Sequence, residues 1–323
     1  MPRPPELSDR AVALKPSLTL EISAKAKALR DSGKDICSLS AGEPDFATPP
    51  FIVEAAQRAL GSGFTRYGPA AGDPDLRAAL AHKLSVENGI PTQPEQVLVT
   101  NGGKQAIYNL FQVLLNPGDE VLVPAPYWLS YPEMAALAGA STRIIPTKAE
   151  EGFRLDLALL EQQITPRSRL LVINSPGNPS GQVMTRAEME ALAALVARHP
   201  QLMVMSDEIY EYLLADGQQH CSFAAIAEEI RSRCFTVNGF AKGWAMTGWR
   251  LGYLAGDAAV IKAASALQSQ STSNVCSFAQ RGALAAIEGP RDCVREMATS
   301  YNRRRTLLTE GPVSYTHLTL PTR

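Results

Sequence analysis

Two ionisable residues in this sequence stand where their surroundings would alter their chemistry. Lys242 lies within Asn238-Gly239-Phe240-Ala241-Lys242-Gly243-Trp244-Ala245-Met246, an apolar, glycine-punctuated stretch. Such an environment lowers the pKa of an amine and makes it a better nucleophile or proton carrier. Asp207, in Ser206-Asp207-Glu208-Ile209-Tyr210, follows directly on an apolar run. A carboxylate at a buried strand end is costly unless a cation stands beside it, so Asp207 calls for a cationic partner. A lysine taken alone is usually a solvated surface charge, and neither residue specifies a reaction by itself.

Further loops hold groups suited to a flat, anionic ligand. In Asn101-Gly102-Gly103-Lys104 the glycines permit close approach of the backbone, and the N–H groups of a following helix start suit a phosphate. Without a ligand the same loop is simply a strand-to-helix turn. Arg250, shortly after Lys242, is available to a dianion. Trp128, behind Pro124-Ala125-Pro126-Tyr127, can stack on a heterocycle or merely fill a core. Asn178, in the proline- and glycine-rich turn Asn174-Ser175-Pro176-Gly177-Asn178-Pro179-Ser180-Gly181, can donate to a ring oxygen, although asparagine is common in turns.

Each loop must be positioned by a neighbouring element. Short β-rich runs at 97–100, 120–123, 170–173, 202–205 and 234–237 alternate with helix-length stretches such as 105–115 and 186–199. The second helix opens with Thr185 and Glu188, spaced as a capping box. Nearly continuous apolar strands between helices predict an α/β fold with a mainly parallel sheet covered on both faces, and function at the loops beyond the strand ends. The segment through Ala47 differs, with a proline-bearing stretch and a helix expected over 18–30, and is expected to belong to a smaller α+β domain. After an amphipathic run at 301–308 the chain closes with residues 313–323, which continue no periodicity and read as a non-native tail.

Composition narrows the class. Of 323 residues 45% are hydrophobic, ordinary for a globular protein, and 31 Lys and Arg nearly cancel 32 Asp and Glu. No global basic field exists to hold nucleic acid or an anionic membrane, and no stretch suggests a membrane span. The five cysteines, without CxxC spacing, argue against a disulfide framework or a zinc site and are expected to be reduced thiols in a cytoplasm; no metal is expected.

In their order along the chain these loops resemble the class I aminotransferases, specifically the bacterial-type aspartate aminotransferases. The resemblance is carried by 40–46 (Ser-Ala-Gly-Glu-Pro-Asp-Phe), Tyr67-Gly68, 101–104, 174–181, 206–210 and 238–250, and runs from about Leu14 to Leu308. It implies pyridoxal 5'-phosphate (PLP), held by Lys242 as a Schiff base, and a transaminase that passes an amino group from an amino acid, with aspartate expected, to a 2-oxo acid, with 2-oxoglutarate expected. Lys242 would carry the proton, Asp207 would keep the pyridine nitrogen protonated, and Asn178 and Tyr210 would hold the phenolic oxygen. Trp128 would stack on the ring, while Gly103, Lys104 and Arg250 would take the phosphate. Tyr67 would reach the phosphate of the neighbouring subunit in a homodimer. Gly42 would offer its amide to the substrate carboxylate beside Trp128 and Asn178, and Lys15 matches a position linked to prephenate as amino acceptor.

The family's organisation implies a small domain begun by 1–47, a large PLP-binding domain over 48–285, and the start of the small domain's second part over 286–312. Two departures stand out. Gly239 replaces a serine that binds phosphate in many relatives, and the family's arginine for the substrate α-carboxylate lies beyond the expected break near residue 312. The alternatives left open are another PLP enzyme of this fold, a carbon–sulfur lyase or an aminocyclopropane-type synthase, and a non-catalytic PLP-binding module.

Overall fold

All five apolar runs expected as strands enter one seven-stranded sheet in the computed structural model, which describes residues 6–310 apart from 15, 17, 37 and 39–41. Lys15 and the tail at 313–323 therefore lie outside the described residues. The strands are β1 (Val97–Thr100), β2 (Glu120–Pro124), β3 (Ser141–Ile145), β4 (Ser168–Asn174), β5 (Met203–Asp207), β6 (Cys234–Gly239) and β7 (Gly252–Ala255), in the order β1-β7-β6-β5-β4-β2-β3. Only β7 is antiparallel to its neighbours, so β1 to β6 all end at one edge. Because β7 runs the opposite way, its first residue, Gly252, arrives at that same edge, opposite Thr100 and Gly239. The loops singled out from the sequence are thereby gathered along one rim.

Sequence patterning misses two strands, for different reasons. β3 is an edge strand whose polar start, Ser141-Thr142-Arg143, shows no continuous apolar run. β7 is a mere four residues, entered from a glycine-rich loop, and pairing on both sides makes it a strand.

The helices are α1 (Asp9–Ala13), α2 (Leu18–Asp31), α3 (Pro50–Gly61), α4 (Pro74–Val86), α5 (Gly103–Leu114), α6 (Ser130–Leu137), α7 (Leu157–Gln163), α8 (Arg186–Ala197), α9 (Phe223–Ile226), α10 (Ala258–Ser271), α11 (Ser277–Glu288) and α12 (Asp292–Glu310). Strand alternation divides the core into two layers. Val97, Val99, Leu171 and Ile173 pack with Leu76, Leu80, Leu192 and Phe223 on one face, whereas Leu98, Leu170 and Val172 pack with Ile107, Phe111, Tyr131 and Ala264 on the other. Burying each of these larger side chains contributes about 1.5–3 kcal/mol. The expected capping box forms: Thr185 Oγ1 accepts from the Glu188 amide at 3.2 Å and Glu188 Oε2 accepts from the Thr185 amide at 2.7 Å. Asp73, Asp156 and Asp257 each cap a helix by accepting two amides, at about 1 kcal/mol apiece.

The segment entering α3 is tied down from two directions. Thr48 donates to the Ala245 carbonyl at 2.7 Å and accepts from the Trp249 indole at 3.1 Å. Asp45 pairs with Arg304 of α12 at 2.8 Å, and Phe46 meets Tyr301 edge-on at 5.5 Å. These contacts bring residues 42–48 over the Lys242 loop.

Candidate active site

The rim is built by the way each strand ends. β5 ends on Asp207, which is 5% exposed. Its Oδ2 accepts from the Tyr131 hydroxyl at 2.7 Å, and its Oδ1 from the Ile209 amide at 3.3 Å. Among the described residues no cation pairs with it. Burial, partly offset by these two donors, raises its pKa to about 6. The cationic partner expected for Asp207 is thus not supplied by the described part of the chain, and the carboxylate suits a positively charged ligand atom.

β4 ends on Asn174, whose side chain ties two loops together. Its Nδ2 donates to the Asp207 carbonyl at 2.9 Å, and its Oδ1 accepts from the Asn178 amide at 2.7 Å. Asn178 Nδ2 in turn donates to the Tyr210 hydroxyl at 3.4 Å. Burial, with the Asp207 charge nearby, pushes the Tyr210 phenol up to about 12, so it is a neutral donor over the physiological range.

β6 runs into the Lys242 loop. The Lys242 ammonium donates to the Gly42 carbonyl and lies 5.8 Å from the centre of the Tyr210 ring. Burial lowers its pKa; the field of Glu43 opposes this and that of Arg250 adds to it. Gly42 thus meets Lys242 through its carbonyl, while the resemblance had drawn attention to its amide.

The phosphate-type loop lies at the start of α5. Gly102 has φ of 84°, a conformation that favours glycine, and a Cβ there would also displace the Arg250 guanidinium, whose Nη2 lies 2.6 Å from its position. Arg250 itself adopts φ of 55° and donates to the Thr247 carbonyl at 2.9 Å. Lys104 stands 4.9 Å over the Trp128 ring, and desolvation, with Arg250 close by, lowers its pKa. Among the described residues, none of Lys104, Lys242 and Arg250 is in an ion pair, which leaves a concentration of positive charge suited to a dianion. At Gly239 an added Cβ would come within 2.9 Å of the Leu251 carbonyl oxygen and 3.0 Å of Gly252 Cα. Backbone crowding explains the glycine at this departure from the family pattern.

Trp128 lies half-buried on the rim, edge-on to Tyr131 with ring centres 5.4 Å apart. The structure therefore gathers Gly42, Gly103, Lys104, Trp128, Asn178, Asp207, Tyr210, Lys242 and Arg250 along one edge. Tyr67 stands apart, 93% exposed. Sequence reasoning missed Tyr131 and Asn174, which touch the site through Asp207 and Asn178. Neither residue left a signal in the sequence that singled it out: Tyr131 lies at the start of an ordinary helix and Asn174 ends a strand where a turn begins.

Comparison with known proteins gives the same answer as the geometry. The model of the family "Aminotransferase class I and II" matches residues 34–313. An aspartate/prephenate aminotransferase of Thermus thermophilus is 50% identical over 308 residues, covering 94% of this chain and 79% of that protein. A bifunctional aspartate and glutamate/aspartate-prephenate aminotransferase of Petunia hybrida is 48% identical, covering 94% of this chain and 64% of its own length. The solved aspartate aminotransferase of Thermus thermophilus with maleate superposes with a TM-score of 0.92 at 49% identity, covering 95% of this chain and 80% of that one. The chain belongs to the class I and II aminotransferases, a family of PLP enzymes, and its fold is that of the aspartate aminotransferases.

Proposed function

We propose that this chain carries the cofactor-binding part of an aspartate aminotransferase that exchanges an amino group between L-aspartate and 2-oxoglutarate. The observation that carries this reading is the set of unmatched charges: among the described residues buried Asp207 is in no ion pair with a cation, and Lys104, Lys242 and Arg250 are in none with a carboxylate. PLP presents the complementary set, a basic ring nitrogen for Asp207, a dianionic phosphate for the cations and an aldehyde for an amine. When bound, it supplies an electron sink for the substrate's Cα. Aspartate as donor is supported by the names of the relatives, which give aspartate beside prephenate, and by the maleate, a four-carbon dicarboxylate, in the Thermus structure.

Each residue then has a task. Lys242, whose burial favours the neutral amine, would hold the cofactor and move the proton at the substrate Cα. Asp207 would fix the charged ring nitrogen. Asn178 and Tyr210 would donate to the phenolic oxygen, Trp128 would cover the ring, and Gly103, Lys104 and Arg250 would take the phosphate. Gly42, beside Lys242, would border the substrate carboxylate together with Trp128 and Asn178. Exposed Tyr67 would act on a neighbouring subunit of a homodimer, and Lys15 would bear on prephenate as an acceptor.

Residues 48–285 would form the large domain, with 1–47 and 286–312 contributing to the small one. No described helix is long and apolar enough to cross a membrane, which is in keeping with a cytoplasmic enzyme. Incubation with PLP, L-aspartate and 2-oxoglutarate is expected to yield oxaloacetate and glutamate, and Lys242→Ala to reduce the rate by about 10³-fold or more. Elimination products without amino transfer, or full turnover by Lys242→Ala, would refute the proposal.

A further inference from the structure

The turn that follows β5 presents its side chains to both sides of the sheet. Asp207 meets Tyr131 in one core layer, and Tyr210 meets Asn178 at the rim. Glu208 and Glu211 alternate with them and face the other way, into a buried polar cluster in the layer that contains Phe223. Glu208, fully buried, accepts from the Ser206 hydroxyl at 2.8 Å, the Ser222 hydroxyl at 2.7 Å and the Phe223 amide at 3.3 Å, and lies 3.1 Å from His220 Nε2. Glu211 pairs with Lys83 of α4 at 2.5 Å and accepts from Asn88 Nδ2 at 2.9 Å. Asn88 Nδ2 also donates to Ser222 at 2.8 Å, which joins the two halves.

A buried cluster of this extent needs a reason. Glu211 faces the Lys83 ammonium and Glu208 accepts from the Ser206 and Ser222 hydroxyls and the Phe223 amide beside its contact with His220, so no metal ion is required to satisfy them. Burial disfavours the charged His220, but Glu208 more than compensates and raises its pKa. Buried ion pairs add little net stability compared with apolar packing, yet they fix geometry, because breaking one leaves an unmatched charge. The same short turn carries two side chains expected to touch the cofactor, and Glu208 is chemically bonded to Asp207.

We propose that His220 and Lys83 are positioning residues for PLP: through Glu208 and Glu211 they hold the 207–211 turn from behind, so that Asp207 and Tyr210 keep their reach at the rim. This inference rests on the functional reading above and extends it to residues that never touch the cofactor. The Glu208 charge also adds to the field that raises the Asp207 pKa, so a change at His220 that shifts Glu208 reaches the ring-nitrogen partner as well as the turn.

The test uses the full 323-residue chain and PLP itself. PLP affinity is measured by equilibrium dialysis, and the absorbance of the bound cofactor is titrated against pH. His220→Ala is expected to weaken PLP binding about tenfold, the low end of what losing an outer-shell partner costs a bound group, and to shift the titration midpoint. Lys83→Met is expected to do the same, with Lys83→Arg restoring most of the affinity. Glu120→Gln, at the opposite end of the sheet, serves as a destabilised control with unchanged PLP affinity. Should His220→Ala not fold, His220→Gln, which fills the space without the imidazole, provides the same comparison. Variants that bind and titrate like the unaltered chain would overturn this inference alone, whereas an unaltered chain that takes up no PLP would overturn the proposed function and this inference with it.

Discussion

Asp207 and Glu120 are buried carboxylates at opposite ends of the same sheet, and the protein treats them differently. Glu120, at the start of β2, is 3% exposed and fully provided for. Arg143 and Arg167 reach its Oε1 at 3.0 and 2.9 Å, and the Thr165 and Ser168 hydroxyls donate to Oε2 at 2.7 and 3.3 Å. Hydrogen bonding to Arg143 first, then to Thr165 and Arg167, holds its pKa down at about 2 despite burial. Asp207, at the end of β5, has a tyrosine and one amide, and its pKa rises to about 6. At the amino ends of the strands the chain completes its own electrostatics. At the carboxyl ends charge of both signs has no ion-pair partner among the described residues, as a binding site for a zwitterionic cofactor requires.

The largest effect expected from this contrast is at Asp207. Asp207→Asn keeps the shape and an oxygen that can accept from Tyr131 but removes the charge meant for the ring nitrogen. Turnover is expected to fall by about 10²–10⁴-fold. Stability without PLP is expected to move the other way. The folded protein binds the Asp207 proton more tightly than the unfolded chain, so the resulting stabilisation is complete below about pH 4 and is lost as pH rises from the ordinary 3.8 to about 6. The loss is about 3 kcal/mol at neutral pH. PLP-free Asp207→Asn, which has no charge to bury, should therefore unfold at a higher temperature than the parent at pH 7 and not at pH 4. Equal melting temperatures at both values would show that Asp207 has a partner after all.

A smaller effect is expected at Tyr131, the donor that orients Asp207. Tyr131→Phe removes a hydrogen bond to a charged group, for which about 1.5 kcal/mol is the lower figure, so kcat/KM should drop about tenfold. The PLP-free stability loss described above should still begin near the ordinary 3.8 but continue to a higher pH, since a donor that favours the carboxylate is gone. If activity is unchanged, the Ile209 amide and the sheet orient Asp207 without help.

How much of this could be read from the sequence depends on what kind of signal each residue leaves. The apolar runs that became β1, β2, β4, β5 and β6 are visible because burial on both faces demands them, and the loops behind them carry the functional side chains. β3 and β7 left no such run, the first because it is an exposed edge and the second because strand pairing substitutes for length. Lys242 and Asp207 were legible from their apolar settings. Tyr131 was not, because a tyrosine at the start of an ordinary helix carries no mark of the carboxylate it will meet. The Glu211–Lys83 contact joins residues 128 positions apart and the Glu208–His220 contact closes across an irregular loop, so neither leaves a periodic mark in the sequence.

The smallest effect on activity, and the sharpest control, is at Glu120. Glu120→Gln leaves a neutral acceptor between two guanidinium groups whose side chains are 35% and 69% exposed, so water can hydrate what the carboxylate no longer balances. The cost is accordingly expected to be about 1–2 kcal/mol, below that of breaking a wholly buried pair, with turnover unchanged because the rim lies at the other end of the strands. The pH dependence has the opposite sign to that of Asp207. Glu120 binds its proton more weakly in the fold, so its stabilisation is present above the ordinary 4.5 and is lost as pH falls toward about 2. Urea unfolding of the parent and of Glu120→Gln at pH 7 and pH 3 should show the gap between them narrowing in acid. A gap that stays constant would mean that Glu120 acts through packing rather than charge, and the contrast between the two ends of the sheet would then rest on Asp207 alone.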